Sequence, residues 1–181
     1  GTSGEVSNTA VGHQAGTAIT KGKHNVAIGK SALATEDVGD TSTAVGYYAL
    51  YSQNSDSDNE ETGNTAVGRK AGYHNVTGQN NTYLGKQAGQ GASGESNSNN
   101  TAVGKNALLA ITTGTTNCVL GSAAGEALLA GSGNVMVGQA AGNTTTAVVE
   151  TVIIGKDAGI AIMTTGANGT VAIGKSALAA L

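Results

Sequence analysis

Apolar residues along this chain fall in short triplets, each closed by a glycine and separated from the next by a polar-rich spacer. The closing glycines stand at Gly12, Gly29, Gly46, Gly68, Gly85, Gly104, Gly121, Gly138, Gly155 and Gly174, in steps of 17, 17, 22, 17, 19, 17, 17, 17 and 19 residues. Such a period is the signature of a solenoid, whose coils rest one on the next. Copies of the motif Asn-Thr-Ala-Val-Gly-x-x-Ala-Gly/Leu occupy residues 8–16, 25–33, 42–50, 64–72, 81–89, 100–108, 117–125, 134–142, 151–159 and 170–178. The mostly β-branched triplets predict a short strand in each coil, stacked in parallel on its counterparts.

The columns of the repeat assign its faces. Before each glycine stand Val11, Ile28, Val45, Val67, Leu84, Val103, Leu120, Val137, Ile154 and Ile173, aliphatic without exception. Two residues earlier, on the same strand face, come Thr9, Val26, Thr43, Thr65, Thr82, Thr101, Cys118, Val135, Val152 and Val171. These two columns are expected to line the interior of the coil, with Cys118 as an inert packing residue. The alanine three residues after each glycine, from Ala15 to Ala177, is expected to sit where nothing larger than a methyl fits. The middle column points to the opposite strand face and reads Ala10, Ala27, Ala44, Ala66, Tyr83, Ala102, Val119, Met136, Ile153 and Ala172. A strand apolar on both faces is normally covered on both. The middle column is therefore expected to pack against further copies of the chain around a shared axis.

The spacers supply the turns. Gly22, Gly78, Gly114 and Gly131 share one offset, where positive φ is expected. Just ahead of them Ile19, Val76, Ile111, Leu128 and Leu129 are expected to form a second, weaker strand lining the core. Asn opens the motif at Asn8, Asn25, Asn64, Asn81, Asn100, Asn117 and Asn134, replaced by Ser42, Thr151 and Thr170 elsewhere. Stacked Asn side chains predict a hydrogen-bonded ladder along the rod. The longest insertion, from Tyr51 to Gly63, predicts a surface loop.

Composition changes this picture little but excludes several functions. The chain of 181 residues has no Phe, Trp or Pro, 3% aromatic residues and 29 Gly, so only a thin core is available. A net charge of −3 argues against nucleic-acid binding. No apolar run reaches the ~18 residues that would span a membrane, so no membrane insertion is expected. The sequence opens without Met or a signal peptide and ends without a polar capping coil, and it is read as one repeat domain, 1–181, cut from a longer fibre.

Candidate chemistry is sparse. Asp56, Asp58, Glu60 and Glu61 lie close enough in sequence to be weighed as calcium ligands, against a plain solvated acidic loop. Tyr51, Gln53, Asn54, Asp56, Asp58 and Asn59 are candidates for a receptor-binding loop. The residue after the glycine is basic at Lys30, Arg69, Lys86, Lys105, Lys156 and Lys175, which predicts an interrupted positive stripe for an anionic glycan, or simply a charged surface that resists edge aggregation. His13, His24 and His74 occupy unrelated columns, and no zinc spacing, phosphate loop or nucleophile elbow occurs. Neither an enzyme nor a cofactor is expected.

The copies Asn25-Val26-Ala27-Ile28-Gly29-Lys30-Ser31-Ala32 and Thr170-Val171-Ala172-Ile173-Gly174-Lys175-Ser176-Ala177 resemble the head repeats of YadA-like trimeric autotransporter adhesins. They are equally similar to repeats of bacteriophage tail fibres that end in a self-cleaving chaperone. The resemblance runs from Asn8 to Leu178 and implies a left-handed parallel β-roll, three chains about one axis, and attachment to host surfaces. The 17-residue period, the alanine in place of serine and the lack of a coiled-coil stalk or membrane anchor favour the tail fibre over the adhesin.

Together these readings predict an all-β parallel solenoid of ten coils, homotrimeric, serving as a structural and host-attachment segment of an extracellular virion tail fibre. Its expected partners are a host cell-surface glycan or protein and the adjoining fibre segments. The alternatives are a bacterial surface adhesin head and an ice-binding solenoid, the latter weakened by a broken threonine column that is expected to face inward. A hexapeptide-repeat acyltransferase is disfavoured because its aliphatic signal recurs every six residues.

Overall fold

The computed structural model describes residues 6–161, 163 and 165–179. Ten strands of three residues form one parallel sheet in sequence order: β1 Thr9–Val11, β2 Val26–Ile28, β3 Thr43–Val45, β4 Thr65–Val67, β5 Thr82–Leu84, β6 Thr101–Val103, β7 Cys118–Leu120, β8 Val135–Val137, β9 Val152–Ile154 and β10 Val171–Ile173. Each strand pairs with the next in the register of the repeat, Ala66 opposite Tyr83 and Val119 opposite Met136. The chain is thus an all-β solenoid of ten coils, with one turn of 3-10 helix, Thr165–Ala167, in the last spacer. The stack is about 43 Å long at ~4.8 Å per layer.

The two faces of the strand are the reverse of the expectation. The middle column points into the coil: Ala27, Ala44, Ala66, Tyr83, Ala102, Val119, Met136, Ile153 and Ala172 are all buried within the single chain. It is the core and has no surface to offer a second copy, while the terminal Ala10 is exposed. The columns on either side face outward, with Ile28 37%, Leu84 47% and Leu120 49% exposed. The reason is the width of the tube. A coil this short admits one strand side chain, and the alanine column, buried from Ala32 to Ala158, comes in from the opposing wall as expected.

Volume is conserved coil by coil. Where the middle residue is Ala27, Ala44 or Ala102, the position six residues later is Leu33, Leu50 or Leu108, each buried. Where it is Tyr83, Val119, Met136 or Ile153, that position is Gly89, Gly125, Gly142 or Gly159. A methyl on Gly142 would stand 2.9 Å from the Met136 sulfur, and one on Gly159 would stand 3.1 Å from Ile153 Cδ1. On Gly89 it would fall inside the Tyr83 ring. Gly72, opposite the small Ala66, makes room instead for Leu50 and Tyr83 from the coils on either side, at 2.7 and 2.9 Å from such a methyl. The leucines take φ of 45–51° there, a costly conformation offset by their complete burial.

The glycine that closes each strand is required twice over. Its φ lies between 123° and 144°, open essentially to glycine alone. A methyl at Gly46 would also sit 2.6 Å from the Gly68 carbonyl oxygen of the next coil. The predicted second strand does not form among the described residues, because left-handed residues break each coil. They follow the closing glycine by two and four positions, as at Asn106 and Leu108, and precede the motif Asn, as at Asn99 and Thr116. Ile111 and Leu128 still line the core, but Val76 is half-buried and Leu129 exposed. Gly22, Gly78, Gly114 and Gly131 do not have positive φ. They are glycine because the next coil's backbone presses on them, Gly39 O lying 2.5 Å from a methyl on Gly22.

The Asn ladder is present and faces inward. Asn117 Oδ1 accepts the backbone N–H of Asn134 at 3.1 Å, and its Nδ2 donates to the Gly131 carbonyl across its own coil at 2.8 Å. The same pair of contacts recurs at Asn64 with Asn81 N and the Gly78 carbonyl, and at Asn100 with Asn117 N and the Gly114 carbonyl.

Exchanging the volume pair tests the packing. Tyr83→Ala is expected to cost about 3–5 kcal/mol in chemical denaturation, as for other buried rings, and Asn97 Oδ1 keeps its bond from Asn100. Adding Gly89→Leu recreates the Ala102–Leu108 arrangement and should recover at least about 1 kcal/mol over the sum of the single variants. Strict additivity would show that the two positions do not share one volume.

Candidate functional site

Four surface features are candidates, and the sheet face is the largest. Its two outward columns carry no charged residue over ten coils, and the aliphatic column before the glycine is continuous from end to end. Threonine stands outward at Thr65, Thr82 and Thr101, against the expectation that this column faces inward. Cys118, expected as core packing, is exposed on the same face as a free thiol. It lies outside because the residues flanking the middle of a three-residue strand point away from the tube.

The insertion is the second feature. It is folded back along the rod. Lys21 Nζ donates to Asp58 Oδ2 at 2.6 Å and Lys23 Nζ to Asn59 Oδ1 at 2.7 Å, so two lysines of the first spacer hold its tip. The Asp58 carboxylate in turn raises the Lys21 pKa above its ordinary value. The Gln79 side-chain amide donates to Glu60 Oε1, and Glu60 Oε2 accepts from Asp56 N at 3.2 Å. Asp40 pairs with Glu61 in an isolated parallel bridge.

The weighed calcium ligands are therefore not gathered. The Asp58 and Glu60 carboxylates are turned to different partners, Asp56 and Glu61 make their contacts through the backbone, and among the described residues no group of three or more acidic, His or Cys side chains converges on a cation position. Of the proposed receptor-loop residues, Asn54, Asp56, Asp58 and Asn59 are exposed. Gln53 is not, since it is fully buried and its Oε1 accepts from Asn64 Nδ2 at 2.9 Å. It occupies the column of Ile111 and Leu128, an inward position that the polar character of the surrounding sequence disguises.

The third feature is the basic stripe. All six of its residues are exposed. Lys30, Arg69, Lys86 and Lys105 follow one another along the rod with only Tyr47 between the first two, whereas Lys156 and Lys175 lie beyond Ser122 and Gln139. Lys156 Nζ lies 3.9 Å from Asp157.

Sequence reasoning missed the fourth feature, an aromatic cluster beside this stripe. Tyr47, Tyr48, Tyr51 and Tyr73 touch in a chain of rings, Tyr47 edge-on to Tyr48 at 4.2 Å, Tyr48 edge-on to Tyr51 at 5.0 Å, and Tyr51 stacked on Tyr73 at 5.1 Å. His74 stands edge-on to Tyr73 at 4.5 Å. Three cations border the rings, with Lys30 Nζ 5.9 Å and Arg69 Cζ 5.8 Å from the Tyr47 centroid and Lys70 Nζ 5.0 Å from that of Tyr73. Burial, and after it the Lys70 charge, holds the His74 imidazole below its ordinary pKa, so it stands neutral at neutral pH. Burial, and then the neighbouring tyrosines, raises the Tyr73 phenol. The signal was available, since four of the five tyrosines fall within 27 positions of a chain otherwise almost free of aromatics.

No family model, curated protein or solved structure matches this chain.

The tether of the insertion can be checked by proteolysis. Glutamyl endopeptidase cutting after Glu60 or Glu61 should act about two- to five-fold faster on a Lys21→Ala, Lys23→Ala variant, the modest gain that exposed ion contacts allow. The difference should shrink in 0.5 M salt. Equal rates at low salt would show that these lysines do not hold the loop.

Proposed function

We propose that this chain is a rigid segment of a homotrimeric attachment fibre, three copies packing in register through the outward face of the sheet. The supporting observation is that face itself. It is free of charge over ten layers and rich in exposed Val, Ile and Leu, where a sheet face left to water carries polar residues. Charged side chains begin just beyond the closing glycine, as at the rim of an interface core. An identical copy is the partner whose apolar columns match in length and layer spacing. The rod then serves by presentation, holding the insertion and the aromatic cluster at fixed positions in triplicate, so that weak contacts with a host-surface glycan or protein gain avidity. The setting of such a segment is a virion tail fibre, with a bacterial surface adhesin as the alternative, and adjoining fibre segments as its other partners.

The outward threonines give a second reading some footing. A regular, outward Thr and Val array on a flat sheet is also what an ice-binding face requires, although Cys118, Val135, Val152 and Val171 interrupt the threonines in the last coils.

Light scattering separates the two. The chain weighs 17.6 kDa, and a trimer should give about three times that, near 53 kDa. Val67→Asp with Leu120→Asp should return the protein to monomer with its circular dichroism unchanged, while a bis-maleimide linking Cys118 between copies should give covalent dimers in the parent protein only. A monomeric parent protein would overturn the fibre reading, and thermal hysteresis in that monomer would establish the ice-binding one.

A further inference from the structure

The aromatic cluster is local to two coils. At the position after the closing glycine, Tyr47 interrupts a run of cations, and at the position of Tyr51 and Tyr73 other coils carry Thr17, Gln90, Glu126 or Asn143. The coil geometry at these sites does not call for rings. Tyr47 is 40% exposed, and Tyr48, Tyr51 and Tyr73 are half-buried only by one another and their neighbours. Lys30, Arg69 and Lys70 form no salt bridge with a carboxylate among the described residues, where the ion pairs are Lys21 with Asp58 and Lys156 with Asp157. One exposed ring in a half-buried aromatic cluster, flanked by cations without a carboxylate partner, is an unfinished interaction: an apolar surface beside positive charges that lack a counter-anion.

We infer that Tyr47, Tyr51 and Tyr73 with Lys30, Arg69 and Lys70 form a binding site for a carboxylated polysaccharide. A pyranose C–H face stacks on the exposed Tyr47 ring, beside the mutually stacked Tyr51 and Tyr73, and sugar carboxylates pair with the cations, Arg69 by its two-pronged guanidinium. Side chains in one column recur at the layer spacing of ~4.8 Å, close to one sugar ring in an extended chain. A linear polymer can therefore run along the rod and meet Lys30, Tyr47, Arg69 and Lys86 in turn. A nucleic acid fits less well. Tyr51 and Tyr73 already cover each other's inner faces, leaving no gap between them into which a base could slide. This site gives the attachment reading a ligand class, and it rests on that reading only for its biological setting.

The protein supplies its own probe. It has no Trp, and four of its five tyrosines lie in the cluster, the fifth being the buried Tyr83. Tyrosine emission should change on titration with oligogalacturonate and stay constant with dextran of similar length. Tyr47→Ala and Arg69→Gln, both surface changes, should each weaken oligogalacturonate binding at least ten-fold with unchanged circular dichroism, while Lys156→Gln should not. Equal response to dextran, no response to either sugar, or retained affinity in Tyr47→Ala would each overturn the site. So would polyphosphate binding as tightly as oligogalacturonate and indifferent to Tyr47→Ala, which would mark simple charge attraction. Light scattering on the same sample keeps the two questions apart: a trimer that binds no oligogalacturonate loses the site alone, and a monomer that binds it loses the fibre alone.

Discussion

In seven of the ten coils the rod depends on one side chain doing two jobs. The motif Asn lies inside the tube, where an unpaired amide would be costly, and both ends of that amide are used. Its oxygen takes the backbone N–H of the Asn in the next coil, and its nitrogen reaches across to a carbonyl on the far wall, as Asn100 does to Gly114. The first contact sets the register between coils and the second fixes the width of each coil. With width and register fixed, one closing glycine must lie against the next, and backbone crowding forbids any side chain there. The narrow interior and the outward turn of the flanking strand residues follow from these two constraints.

The period, the parallel strand before each closing glycine, the Asn ladder and the buried alanine column were all legible, because each is a column that tolerates almost nothing else. The absence of a second strand and the direction of the first were not. A column of Val and Ile beside a column of Ala suggests core beside an interface between copies, a rule suited to a wide core with room for branched side chains. In a narrow tube the rule inverts, since small residues are what the inside accepts. The decisive signal lay in pairs of columns. Alanine with leucine six residues on, or a larger residue with glycine there, is compensation that only two positions sharing one volume require. The tyrosine cluster was missed for a different reason: its rings come from two coils separated by the insertion, so their proximity depends on the closed coil rather than on spacing along the chain.

A solenoid also changes how surface chemistry is built. In a globular domain, a binding site draws on elements distant in sequence. Here, any column is already a line of side chains at the layer spacing, and a site is made by editing neighbouring coils. The run from Lys30 to Lys105 shows this economy, with a ring standing in for one cation. In the proposed trimer each such site would be present three times.

The edits are not spread evenly. Glu36, Gln53 and Asn75 occupy interior positions of the second to fourth coils, where Ile111 and Leu128 fill the matching column further on, and Asn97 is buried in the fifth coil at the position that Gly114 and Gly131 hold later. Glu36 is held there by the N–H groups of Gly39 and Ser55 and by the Ser55 hydroxyl, and the Tyr83 hydroxyl donates to Asn97. The insertion, the clustered tyrosines and the three cations that border them belong to the same coils. A polar interior is the natural support for an irregular exterior. An inserted loop must leave and rejoin the tube, and the backbone groups it frees at the wall need partners that Ile and Leu cannot supply. The sixth and seventh coils keep the plain 17-residue step and an aliphatic residue in that column, as Ile111 and Leu128 show, and Thr145 stands there in the eighth. One stretch thus gives regular length while another carries the altered surface.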